Sequence, residues 1–168
     1  LLHAARHGRA AYVAAMLEKE RWRRRVNTPM TEGSRSTALY LASTNGHTEV
    51  VTQLLATRAH VNQANNEGAT PLIAACGEGH TGIVAILLAA NADVNKPSHN
   101  DIPIALACER GHLGVVQLLS SYGARRNFPS HDTAEHMATA AGHHDIANWL
   151  RSTPHWTPID HLEVLTPE

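Results

Sequence analysis

With 168 residues, the chain is long enough for one domain with a continuous core or for a run of small units that share one. Aromatic residues at only 4% favour the second, because thin layers pack closely on small and aliphatic side chains. A formal net charge of −1 provides no global attraction for nucleic acid or an anionic membrane surface, and no apolar run approaches the ~18–20 residues that span a bilayer.

In chain order, the first predicted elements are two short helices around Gly8-Arg9, followed by the basic run Lys19-Glu20-Arg21-Trp22-Arg23-Arg24-Arg25 near the end of the second helix. A loop containing Thr31-Glu32-Gly33-Ser34-Arg35-Ser36 then leads to Thr37, where an Ala-rich helix opens. The same opening recurs at Thr70, Ile102 and Thr133, each nine residues before a glycine. A Thr hydroxyl caps free amides of the first turn, and the Pro of Thr70-Pro71 supplies a helical φ without sacrificing a needed donor. Those glycines stand in Gly46-His47, Gly79-His80, Gly111-His112 and Gly142-His143, spaced 33, 32 and 31 residues apart. Behind each comes an apolar helix: Val50-Val51 with Leu54-Leu55, Ile83-Val84 with Leu87-Leu88, Val115-Val116 with Leu118-Leu119, and Ile146 with Trp149-Leu150. This spacing keeps one stripe apolar. The segments Ala59-His60-Val61-Asn62, Ala92-Asp93-Val94-Asn95 and Ala124-Arg125-Arg126-Asn127 end three of the units. Asn91 and Gly123 precede two of them, as a left-handed helix end requires.

Several motifs at one common period resemble an ankyrin repeat array, most completely over residues 63–95. The resemblance implies an all-α solenoid in which each unit is two antiparallel helices followed by a hairpin-like loop. The predicted units are 1–27, 28–62, 63–95, 96–127 and 128–153, within a single domain spanning 1–168. The first lacks its opening and reads as a capping unit. Asn27 to Thr37 is two residues longer than Asn62 to Thr70, so that loop is expected to protrude or move. In the fifth unit Glu135 replaces the family leucine. Its hairpin is absent, and Trp156-Thr157-Pro158-Ile159 with Leu162, Val164 and Leu165 is expected to form a capping helix over 154–168.

Thirteen histidines and two cysteines invite a search for chemistry. His47, His80, His112 and His143 occupy the repeated turn. His3 and His136 fall where the family uses the side chain to tie loops together. His143-His144 with His155 or His161 is the best metal candidate, but no Cys or His pair has a structural-zinc spacing, and neither metal nor cofactor is predicted. Cys76 and Cys108 lie 32 residues apart, at the same place in adjacent units. Stacked helices at ~8–10 Å exceed the ~7 Å Cα limit of a disulfide, so both read as reduced core residues. Ser98-His99 with Asp101 lies too close in sequence to reach a catalytic triad geometry. No nucleophile–base pair, carboxylate dyad or phosphate loop is present, and a non-enzyme is predicted.

The resemblance implies a protein-interaction module that binds along a concave loop and first-helix face. Carried over unit by unit, the binding positions are Ser34, Ser36, Tyr40 and Asn45; Asn66, Glu67 and Glu78; His99, Asp101, Glu109 and Arg110; and Asp132. Four carboxylates on the two central units face Arg110 as the fixed cation, so a partner segment with Lys or Arg is expected, anchored at Tyr40. Nucleic acid and membrane are not expected partners, and the chain is expected to be an intracellular monomer of the cytoplasm or nucleus. A start without Met and a close on Leu165-Thr166-Pro167-Glu168 are expected of a fragment. The alternative reading is therefore a regulatory or substrate-targeting domain of a larger enzyme or ubiquitin-ligase adaptor. The basic run reads as a solvated helix end, whose cations suit a carbonyl terminus. Its functional alternative is a local dock for an acidic peptide, phosphate or import receptor.

Overall fold

A computed structural model describes residues 1–30, 33–99, 101–128 and 133–153. Among them the elements are helices alone: α1 (Leu2–Arg6), α2 (Ala10–Leu17), α3 (Glu20–Arg23), α4 (Ala38–Thr44), α5 (Thr48–Ala56), α6 (Pro71–Gly77), α7 (Thr81–Ala89), α8 (Pro103–Glu109), α9 (Leu113–Ser121), α10 (Ala134–Ala140) and α11 (His144–Ser152). An isolated antiparallel bridge joins Asn127 to Thr133. Two layers result. Helices α1, α4, α6, α8 and α10 stack in one, while α2, α5, α7, α9 and α11 stack in the other, and each helix pairs with its sequence neighbour across the layers.

The sequence dictates both layers locally. Thr37, Thr70 and Thr133 each accept a hydrogen bond from the amide three residues on, at 3.1, 3.3 and 3.1 Å. This satisfies one of the four orphan donors of the helix start. Ile102 has no such oxygen, and α8 starts instead on Pro103 at the first helical position. Ala38, Ala42, Ala75, Ala107, Ala134 and Ala138 are buried, and their small size lets first helices approach closely. The second helices supply the bulk: Val50, Val51 and Leu54; Ile83, Val84 and Leu87; Val115, Val116 and Leu119; and Ile146 and Leu150. Fully burying each aliphatic side chain of Val, Leu or Ile size contributes about 1.5–3 kcal/mol.

One local expectation changes. The basic run does not continue the first unit's second helix. That helix ends at Leu17, Lys19 turns extended (φ −87°, ψ 122°), and Arg21 and Arg23 lie in the separate turn α3, with Arg24 at its C-terminal end and Arg25 beyond it. The Leu17 carbonyl at that end accepts a hydrogen bond from Arg23 Nε at 2.7 Å. In the long loop, expected to protrude or move, Thr31 and Glu32 lie outside the described residues, and the part that follows bonds to the corresponding loop of the next unit. Ser34 O accepts from Asn66 N at 2.9 Å and Gly33 O from Asn66 Nδ2 at 3.1 Å. The expected cap over 154–168 also lies outside the described residues.

Glu135, the departure in the fifth unit, accepts Arg151 Nε at 3.0 Å and Nη2 at 2.6 Å on one carboxylate oxygen. A leucine position thus becomes a partly exposed ion pair within the last helical pair.

Candidate partner-binding surface

The first-helix layer and the loops before it meet in a ridge whose frame is main-chain hydrogen bonding. Asn66 N donates to Ser34 O at 2.9 Å, and one unit further His99 N donates to Glu67 O at 3.0 Å. Each tip is also closed internally. Asn65 Oδ1 accepts from Glu67 N and Ala69 N, both at 2.9 Å, while Ser98 Oγ accepts from Asp101 N at 2.9 Å and donates to Asp101 O at 3.2 Å. Side-chain oxygens that bind the backbone two to four residues on shape tight turns. Neighbouring tips also touch: a Cβ at Gly68 would lie 3.2 Å from the Ser98 Cα.

On this frame Asn45, Asn66, Glu67, Glu78, His99, Glu109 and Arg110 are exposed, and Ser34, Tyr40 and Asp101 are partly so. Ser36 is not: it retains only 1% exposure, because its hydroxyl turns inward to Ser34 Oγ at 2.7 Å. The expectation that Ser36 faces a partner is therefore corrected. Asp132 lies outside the described residues. Asn45 and Asn66 spend their amide nitrogens internally, on Leu41 O at 2.7 Å and Gly33 O at 3.1 Å.

The structure brings Tyr40, Glu67 and Glu78 together across two units. Partial burial raises the Tyr40 phenol above its usual range, the Glu67 and Glu78 charges push it the same way, and a hydrogen bond with Thr44 opposes the rise. Among the described residues the side chains of Glu67, Glu78, Glu109 and Arg110 form no hydrogen bond or ion pair, so Arg110 does not neutralise its acidic neighbours. Asn65 is the contributor the sequence reading missed. Its signal was present in Asn65-Asn66-Glu67-Gly68, a run of turn residues ahead of a helix.

The repeated histidines prove structural. Nε2 of His47, His80, His112 and His143 hydrogen-bonds to the carbonyls of Arg6, Thr44, Gly77 and Glu109 at 2.9, 3.1, 3.1 and 3.0 Å. A carbonyl only accepts, so each ring carries its proton on Nε2 and bridges to the preceding unit. Among the described residues no group of three His, Cys, Asp or Glu is placed to hold a metal ion, and His155 and His161 lie outside them. His3 sits 4.4 Å from His7, ring to ring. The Ser98 hydroxyl closes a loop onto the Asp101 main chain. Cys76 and Cys108 are buried free thiols, and burial pushes both pKa values up, that of Cys108 to about 12. No described helix is long and apolar enough to cross a membrane.

Stacked helix pairs joined through backbone-bonded loop tips define a helical-repeat solenoid, a scaffold that offers an extended surface. The model of a family described as ankyrin repeats, three copies, matches residues 1–98, more than half of the chain, and the chain belongs to that family. No curated protein is a significant match to it. Ankyrin repeats are generally protein–protein interaction modules and typically non-catalytic. Beyond residue 98, α8–α11 continue the same pairing of helices.

Proposed function

We propose that the chain binds a protein partner along its loop-tip and first-helix face, and that the bound segment carries Lys or Arg. The observation that carries this reading is the group Tyr40, Glu67 and Glu78, a partly buried ring flanked by two carboxylates that lack an ion pair among the described residues. Partly buried aromatic residues anchor interfaces at low entropic cost. Carboxylates at a rim steer a cationic segment toward them. Asp101 and Glu109 extend the acidic side, and Arg110 sets an opposite charge beside it. The partner-facing set is Ser34, Tyr40, Asn45, Asn66, Glu67, Glu78, His99, Asp101, Glu109 and Arg110.

The test uses a partner recovered by affinity capture and a combined charge reversal at Glu67, Glu78 and Asp101. A slower association rate with a weaker salt dependence is the expected result, and Tyr40→Ala should speed dissociation. If these variants bind unchanged while substitutions on the second-helix layer abolish binding, the assignment of the face is wrong.

A further inference from the structure

A second surface, on different elements from the loop ridge, carries the opposite charge. Residues 1–25 hold seven of the fourteen Lys and Arg residues and only two of the fifteen carboxylates. From residue 26 onward thirteen carboxylates stand against seven cations. Exposed charges separated by more than ~8–10 Å are largely screened at physiological ionic strength. A near-neutral total therefore conceals two local fields of opposite sign.

The positive field centres on α3, where residues 19–25 contain five cations and one carboxylate. All five cations are exposed. They differ in their freedom. Arg23 is tied to the Leu17 carbonyl, and Arg24 Nη2 pairs with Glu20 Oε1 at 2.5 Å. Arg21 lies over the Trp22 indole, 5.5 Å from its centroid, while Lys19 and Arg25 form no side-chain hydrogen bond or ion pair among the described residues. Arg21, Trp22, Arg24 and Arg25 border one open recess. Glu20 and Arg24 also border a second, which continues past Asn27 to Thr57, Arg58 and His60 at the end of α5. The two recesses share Glu20 and Arg24 in their walls, and together they mark a basic track from α3 to the end of α5. A dipole from a single four-residue turn is too small to account for five neighbouring cations.

We propose that this track docks a short Asp/Glu-rich segment of a protein partner. An isolated phosphoryl group is best held by two or three donors that converge on one point. Here Arg23 and Arg24 are already engaged, while Arg21 and Arg25 border the first recess and Arg58 stands at the far end of the second. Such an array suits carboxylates strung along an extended chain, where alternate side chains repeat every ~6.6 Å. A nucleic acid or bilayer surface would run past the track onto a remainder in which carboxylates outnumber cations almost two to one. The indole of Trp22, partly exposed beside Arg21, adds a flat apolar contact for the stems of Glu side chains.

The experiment measures fluorescence anisotropy of a short labelled peptide of alternating Glu and Ser with the whole chain. Its Gln counterpart, a phosphoserine peptide of equal charge, an oligothymidylate and phosphatidylserine vesicles run in parallel. The Glu peptide should bind with an affinity that falls as salt rises, and the combined Arg21→Glu and Arg25→Glu change should weaken it about tenfold or more. Arg125→Glu, at the far end of the stack, should leave binding unchanged. Circular dichroism checks the fold, and Arg21→Gln with Arg25→Gln decides the matter if charge reversal disturbs it. The proposal is overturned if the Glu peptide does not bind, if Gln binds as well as Glu, or if the arginine variants retain full affinity. Tighter binding of the phosphopeptide, oligonucleotide or vesicles overturns it equally. None of these outcomes bears on the loop ridge, whose test residues lie in other units.

Discussion

Gly79 meets two demands at once, and the second comes from the next unit. Its φ of +73° belongs to the left-handed region, and a Cβ there would lie 2.6 Å from the His112 Nδ1. Gly79→Ala should therefore cost about 2–4 kcal/mol, strain and a displaced imidazole together. Gly142 shares the backbone conformation (φ +82°) but has no neighbouring atom within 4 Å of its would-be Cβ among the described residues. Gly142→Ala should cost only about 1 kcal/mol. Urea titration of the two variants compares them, and equal losses would show that the histidine contact is immaterial. Arg58 presents the reverse case, a side-chain residue held at φ +66° where another unit uses Gly123. Arg58→Gly should raise stability by about 0.5–1 kcal/mol, whereas Arg58→Ala, which keeps a Cβ, should be nearly silent. The same unfolding curves check both. The glycine and threonine positions were legible because their backbone demands repeat with the period. Ser36 was not, since its inward turn depends on a hydroxyl partner two residues away that no spacing rule announces.

Helices α6 and α7 form the most family-like pair, and their interior is correspondingly complete. Leu87 has no exposed surface and packs in the continuous core. Leu87→Ala should lose about 2–5 kcal/mol, the removed atoms plus the cavity left behind. An unchanged unfolding midpoint would mean that the stripe on α7 is not the core. Helices α5, α7, α9 and α11 could be read from their apolar spacing, because burial on one side imposes a period of 3.6. The division between α2 and α3 could not. There Arg23 reaches back six residues to the Leu17 carbonyl, and an unbroken charged run gives no hint of that contact. Likewise the ridge residues were found at the level of the loop, whereas the grouping of Tyr40 with Glu67 and Glu78 required the packing of α4 against α6.

On the scale of the molecule, stability is distributed through neighbour contacts, and the two cysteines report on them from inside. With its pKa pushed up to about 12, the buried Cys108 has a negligible thiolate fraction at pH 8, and Cys76 is shifted the same way. A thiol-specific reagent should label neither until the stack opens, so the rate of labelling measures that opening. The sign of the pH effect follows. Both thiols stay protonated in the folded chain, so their contribution is intact below the ordinary value of 9.0 and is lost as pH rises through the folded value. Stability should therefore fall from about pH 9 upward, and less steeply in a variant with both cysteines changed to Ala. Thermal unfolding across that range measures the difference. Rapid labelling of the native chain would place these thiols nearer the surface.

The loop tips divide labour between backbone and side chain. The bonds from Asn66 to Ser34 and from His99 to Glu67 run through main-chain amides and carbonyls, which every non-proline residue possesses. The frame is therefore indifferent to what Glu67 and His99 carry outward, while Asn65, Gly68 and Ser98 hold it in shape. A lineage of such chains can change the side chains displayed at the tips by single codons and keep the main-chain frame intact.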